Sequence, residues 1–221
     1  MLGYYPYSID DNWRKMIENN IFENLEYFCN KCITGKNDSD KHLLTIFSIA
    51  LASKGKKYLE LGVRDGDTTA PILTAAYLNK GKLISVDKNQ TSYRPPDKWK
   101  DNYEFVKSDS IKYLEKNLSN EKIDFIYIDD WHAYRHVKRE IELIDPYVGP
   151  SSIILLHDLM YGNTQPHYHT DLTLKDGQWA EGGAYRAVAE LDLNFWEWAT
   201  LPWNNGLTIL RKKYSSKYFS R

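Results

Sequence analysis

Cysteine is nearly absent from this sequence: Cys29 and Cys32 are its two thiols in 221 residues. A disulfide framework needs several bridged pairs, so that class is excluded. No second cysteine pair stands elsewhere to complete four ligands, which argues against a Cys-x-x-Cys zinc site. Both are expected to be reduced structural thiols at the end of an N-terminal helix. Excess charge is absent too. Lys and Arg number 29 against 30 Asp and Glu, a formal net charge of −1, so no global basic field points to nucleic acid. The lysines after Leu210 form a short tail, read as a solvated end. No apolar run reaches the ~20 residues of a bilayer-spanning helix. Residues 1–20 lack a basic start followed by an apolar block, the mark of a signal peptide. No membrane partner and a cytoplasmic location are therefore expected. Also missing is the glycine pattern G-x-G-x-x-G, which counts against a dinucleotide turn.

What is present is a hydrophobic fraction of 42%, enough for the core of a single domain over 1–221. Within it, 1–55 reads as an N-terminal arm and helices, and 56–213 as the catalytic core. Helices are predicted from Asn12 to about Cys32 and from Asp40 to Ser53, the second capped by Asn37-Asp38-Ser39 and stopped at Gly55. From Lys57 onward strands and helices alternate. Strands are predicted at Lys57–Leu61, Lys82–Val86, Tyr103–Val106, Ile123–Ile128 and Ser152–Leu156. Helices fall between them at Thr68–Asn79, Ser110–Leu118 and Tyr134–Ile144. Runs such as Phe125-Ile126-Tyr127-Ile128 are apolar throughout, as in a parallel sheet covered on both faces. A last helix is predicted over 184–192. Asn205-Gly206 between Phe195–Leu201 and Leu207–Leu210 then signals a hairpin. The fold class is thus α/β: a doubly wound, mostly parallel seven-stranded sheet closed by a C-terminal antiparallel hairpin, with N-terminal helices. The segment 161–183 is long, polar and aromatic, the kind of loop that lines an acceptor site.

The most informative stretch is Tyr58-Leu59-Glu60-Leu61-Gly62-Val63-Arg64-Asp65-Gly66-Asp67-Thr68-Thr69. An apolar strand ends in a carboxylate, a glycine turn follows, and threonines open a helix. Glycines let the backbone approach a ligand because no Cβ intervenes. A dinucleotide fingerprint would put glycines at 62, 64 and 67, but Arg64 and Asp67 stand there, and Glu60 would repel a diphosphate. A cationic cofactor without phosphate fits better, and S-adenosylmethionine is one. The stretch resembles the first motif of class I S-adenosylmethionine-dependent methyltransferases, in particular the small-molecule O-methyltransferase and cephalosporin-hydroxylase-like branch. The resemblance covers about residues 40–213.

In open α/β sheets ligands sit beyond the carboxyl ends of the strands. Acidic or polar groups stand at each of those ends here: Glu60, Asp87, Ser108-Asp109-Ser110, Asp129-Asp130-Trp131-His132 and His157-Asp158. Asp87, about 20 residues past the turn, is placed to accept both ribose hydroxyls, or else to cap a turn. The resemblance implies that Gly62, Gly66 and Thr68 belong to the cofactor turn, that Glu60 serves the methionine ammonium, and that Asp109 takes the adenine amine. A helix N-cap is the other reading of Asp109. Asp129-Asp130-Trp131-His132 resembles the D-x-W-K of catechol-type O-methyltransferases. It implies Asp129 as a cofactor and metal residue, Asp158 as a second metal ligand for Mg²⁺ or another divalent cation, and His132 in the place of the basic lysine. Histidine suits proton abstraction near neutral pH. The departure is Leu159, where that family has a ligating Asn. A D/N-P-P-Y/F motif is lacking after the fourth strand, which favours oxygen as the acceptor over nitrogen. The expected activity is O-methylation of a small hydroxylated molecule such as a phenol or sugar, with a homo-oligomer left open. The alternatives are a cofactor-binding or scaffold protein with a degraded acceptor site and, less favoured, an NAD-dependent enzyme.

Overall fold

The computed structural model describes residues 21–118, 121–160, 175–177 and 179–214. Seven strands form one sheet: β1 (Lys57–Leu61), β2 (Lys82–Asp87), β3 (Tyr103–Lys107), β4 (Phe125–Ile128), β5 (Ile153–His157), β6 (Trp196–Leu201) and β7 (Leu207–Lys212). Their order is β3-β2-β1-β4-β5-β7-β6. Pairings from β3 to β5 are parallel, and β7 enters antiparallel between β5 and β6. Among the described residues, six α-helices flank the sheet: α1 (Ile21–Thr34), α2 (Leu43–Ala52), α3 (Thr69–Leu78), α4 (Ser110–Asn117), α5 (Tyr134–Ile144) and α6 (Gly183–Ala189). The chain order reverses between β1 and β4, so a crevice opens at their carboxyl ends.

Side-chain alternation along the strands divides the core in two. Leu59, Leu61, Ile126, Ile128, Ile154 and Leu156 pack against α4, α5 and α6, with Val137, Ile141 and Ile144 filling the gap. Tyr58, Phe125, Tyr127 and Leu155 face the other way, onto Phe28, Ile46, Phe47, Ile72 and Leu73 of α1, α2 and α3. Covering both faces is what makes each central strand apolar end to end. Complete burial of one such side chain is worth about 1.5–3 kcal/mol.

The hairpin forms between the expected strands, its turn centred one residue before Asn205-Gly206. Asn204 and Asn205 hold the two left-handed positions (φ 46° and 64°), and Gly206 N–H closes the turn on Trp203 O at 3.0 Å. That is a type I′ pattern with Asn-Asn at its centre and Gly206 just after. The second helix starts as a 3₁₀ turn, Asp40–His42. The Asn37-Asp38-Ser39 cap is replaced by buried Asp40, whose carboxylate accepts Asn37 N–H at 2.9 Å. Both cysteines are free; Cys29 is exposed and Cys32 half-buried, so only Cys32 has a packing role.

Candidate active site

The glycine turn brings β1 within backbone contact of β4. Gly62 has φ +90°, and a Cβ there would lie 2.2 Å from the Asp129 carbonyl oxygen, so no other residue fits without moving a strand end. Gly66, at φ +87°, is closed over by the Tyr93 ring, 2.5 Å from an added Cβ. Glu60 is fully buried and receives hydroxyl hydrogen bonds from Thr68 (2.9 Å), Thr69 (2.8 Å) and Ser85 (2.5 Å). Burial pushes its carboxyl up to about 7, against the three hydroxyls that favour the charge. Glu60 was expected to meet a cationic partner; three hydroxyls meet it instead, and Thr68 spends its side chain there.

Two cavities adjoin this turn. The larger, about 350 Å³, is lined by Gly62, Val86, Asp87, Asp109, Asp130 and Trp131 among others. The smaller, about 80 Å³, lies between the turn and the Asn37–Ser39 loop. Gly62, Arg64 and Asp129 border both. The loop is fastened to the turn by Asn37 Nδ2 donating to Asp67 (2.8 Å) and Lys31 Nζ to the same carboxylate (3.2 Å).

Asp87 accepts three backbone N–H groups: Val63 at 2.9 Å and Arg64 at 3.1 Å on one oxygen, Asn89 at 2.7 Å on the other. A carboxylate offers about four acceptor positions, so the geometry leaves room for one hydroxyl rather than the two expected. Asp109 is the N-cap of α4, its side chain accepting Lys112 N–H at 3.0 Å, while also lining the large cavity. An Asp109→Ala chain is expected to lose about 0.5–2 kcal/mol of stability as a lost cap. Chemical denaturation, with adenosyl-ligand calorimetry beside it, separates that loss from any loss of binding.

Beyond β4 and β5 four side chains converge. His132 Nε2 lies 2.9 Å from Asp158 Oδ2, and His157 Nδ1 lies 3.4 Å from the same oxygen and 3.6 Å from Asp129 Oδ1. Tyr127 OH (3.1 Å) and Ser39 Oγ (3.4 Å) donate to Asp129 Oδ2. Asp158 sits at φ +65°, a conformation uncommon outside glycine and one that clusters at functional sites. His132 is buried and stacked on Trp179, ring centroids 4.6 Å apart. Burial disfavours its charged form, but the hydrogen bond and charge of Asp158, with Asp129 and Asp130 behind them, raise its pKa above the ordinary imidazole value. Asp158 is held low: burial would raise it, and the two histidines outweigh that. Leu159 is buried in the core and offers no ligand. The carboxylates of Asp129 and Asp158 with the His132 ring put three ligand atoms within 4.8 Å of one another.

The structure thus brings Asp129, His132 and Asp158 together, and gathers Gly62, Asp87, Asp109 and Asp129 around the adjoining cavities. Glu60 stands behind the turn, while Thr68 borders the smaller cavity. Of the segment 161–183 expected to line an acceptor site, 161–174 and 178 lie outside the described residues. Sequence reasoning passed over His42, which lies edge-on to His157 at 5.4 Å; a buried helix-start histidine leaves no periodic signal. It also passed over His136 and Glu140, although His-x-x-x-Glu on a helix is a readable one-turn spacing.

Compared with known proteins, residues 59–159 match a family model described as a methyltransferase domain. No curated protein matches the sequence. Among solved structures, the O-methyltransferase from Bacillus cereus in complex with SAH is 14% identical, with 92% of this chain and 91% of that one covered and a TM-score of 0.60. An SAH-bound methyltransferase from Podospora anserina is 15% identical, covering 97% and 100%, with a TM-score of 0.58. A caffeoyl-CoA O-methyltransferase, so described as putative, from Staphylococcus aureus is 14% identical, covering 92% and 100%, with a TM-score of 0.59. At such identities the likeness is one of fold.

Proposed function

We propose that this chain, whose residues 59–159 carry a methyltransferase domain, moves the methyl group of S-adenosylmethionine to an oxygen of a small hydroxylated acceptor such as a phenol or sugar. The observation that carries this reading is the His132–Asp158 pair, 2.9 Å apart, whose ligand atoms lie within 4.8 Å of an Asp129 carboxylate oxygen, Asp129 bordering both cavities at the glycine turn. When bound, the cofactor supplies an electrophilic methyl group on a sulfonium centre. Gly62 lets the backbone approach it, and Asp87 keeps one acceptor position for a ribose hydroxyl. Asp109 and Ser110 border the end of the cavity that suits adenine. Asp129, common to both cavities, faces the cationic end. With the cofactor bound, these residues would align its methyl group with the acceptor oxygen, and His132 would take the hydroxyl proton. Asp158 orients the ring and offsets the charge it gains. Alignment of this kind is worth up to about 7–11 kcal/mol.

A base must be unprotonated to act, and Asp158 holds the His132 proton more tightly than water does. Turnover is therefore expected to rise with pH through an apparent midpoint above 6.5, the reference imidazole value. The stability that the pair contributes runs the other way. It is fully present below 6.5 and is lost as pH rises through the folded-state value. A pH–rate profile under saturating cofactor, with thermal melts across the same range, checks both; a midpoint at or below 6.5 contradicts the assignment.

A second reading rests on the Asp129, His132 and Asp158 ligand atoms. Two carboxylates and an imidazole suit a divalent cation, with His132 standing in for the Asn that Leu159 replaces. Such an ion would lower the pKa of the acceptor hydroxyl. Activity that dies on chelation and returns with Mg²⁺ or Mn²⁺ selects this reading; activity that survives chelation selects His132 as the base.

A further inference from the structure

We propose that Asp130, His136 and Glu140 form a separate binding site for a zinc-like divalent cation, in the wall of the large cavity. Asp130 is the second residue of the loop after β4. His136 and Glu140 lie one turn apart on α5, hence on one face. Three oxygens converge on a single ring nitrogen: Asp130 Oδ2 at 3.0 Å, Ser110 Oγ at 3.1 Å and Glu140 Oε1 at 3.3 Å from His136 Nε2. That nitrogen carries at most one hydrogen, and the Ser110 hydroxyl donates to Asp130 Oδ2 at 2.6 Å, so Glu140 is the group left without a donor. Glu140 is fully buried, and neither of its carboxylate oxygens has a hydrogen-bond partner; Asp130 Oδ1 is a buried orphan as well. Buried carboxylates left in this way are costly.

An ion at the point of convergence removes the conflict. Tetrahedral zinc binds nitrogen and oxygen at about 2.0–2.2 Å, which sets ligand–ligand separations of roughly 3.3 Å. The His136–Asp130 and His136–Glu140 separations already have that size. One imidazole with two carboxylates is a borderline donor set that Zn²⁺ and its neighbours bind well. Ser110, Asp130 and His136 also line the large cavity, which gives the ion a way in and a water the fourth position. The site shares no residue with Asp129, His132 and Asp158, and it stands whether or not the chain transfers methyl groups.

The test uses the full chain carrying Asp158→Asn, which cripples the other cluster. The metal-free protein is titrated with Zn²⁺ against a chromophoric chelator, and separately with Co²⁺ while the visible spectrum is followed. One equivalent of Zn²⁺ is expected, with Co²⁺ giving the intense absorption of a tetrahedral site. His136→Ala and the nearly isosteric Glu140→Gln should each weaken that equivalent by at least about 100-fold, the upper range for losing an outer-shell partner, with circular dichroism confirming that each folds. If the Asp158→Asn chain takes up no Zn²⁺, or a folded Glu140→Gln chain binds it as tightly as its parent, the proposal is overturned. Binding at Cys29 and Cys32, or elsewhere, would give that second result.

Discussion

His132→Ala is expected to lower turnover by about 10²–10⁴-fold, the usual contribution of a general base, while S-adenosylmethionine affinity changes little. The ring is held on two sides, by Asp158 at 2.9 Å and by the Trp179 stack at 4.6 Å. It is thus aimed before any acceptor arrives. Asp129, by contrast, borders both cavities, so its loss would mix binding with catalysis. Removing the ring also leaves buried Asp158 with His157 alone, which costs stability. His132→Gln, which keeps bulk and hydrogen bonding but cannot serve as a base, separates the two effects. Both variants should be slow, and the Gln variant should melt closer to the parent. Initial rates on a phenolic acceptor found by screening, at saturating cofactor, give the comparison. Full activity in a folded His132→Ala chain would remove His132 from the reaction.

Asp87→Ala is expected to weaken S-adenosylmethionine binding by about 1.5–3 kcal/mol, the worth of a hydrogen bond to a charged group. Calorimetry reads this directly. The structure adds a second source of loss. Asp87 fastens the turn through the N–H groups of Val63, Arg64 and Asn89, so alanine frees three backbone donors and loosens the cradle around Gly62. Asp87→Asn retains one acceptor oxygen and gives up the charge. Intermediate affinity is expected from it. Wild-type affinity in both variants would mean that Asp87 is a turn cap and nothing more.

Much of the fold was legible because its physics is local and repetitive. A parallel sheet covered on both faces turns each central strand into a short apolar run, and β1 and α5 have the boundaries read from sequence. The Asn-rich turn before Gly206 announced the hairpin but not the centre of its turn, since Asn tolerates the left-handed region nearly as glycine does. The site was legible to the extent that strand ends collect polar residues. What could not be read were partners brought in from distant segments. Glu60 draws hydroxyls from the start of α3 and from β2. Asp87 turns back onto the loop before it. Trp179 arrives at His132 from the segment just ahead of α6, and His42 reaches His157 from the N-terminal helices. Those contacts depend on tertiary packing, and spacing along the chain carries no trace of them.

The most direct measurement is a calorimetric titration of the purified chain with S-adenosylmethionine, its demethylated product and NAD in parallel. The account predicts one site per chain for the two adenosyl ligands, lost together on Asp87→Ala, and no saturable heat with NAD. Saturable NAD binding, or no binding of either adenosyl ligand to the folded chain, would contradict it.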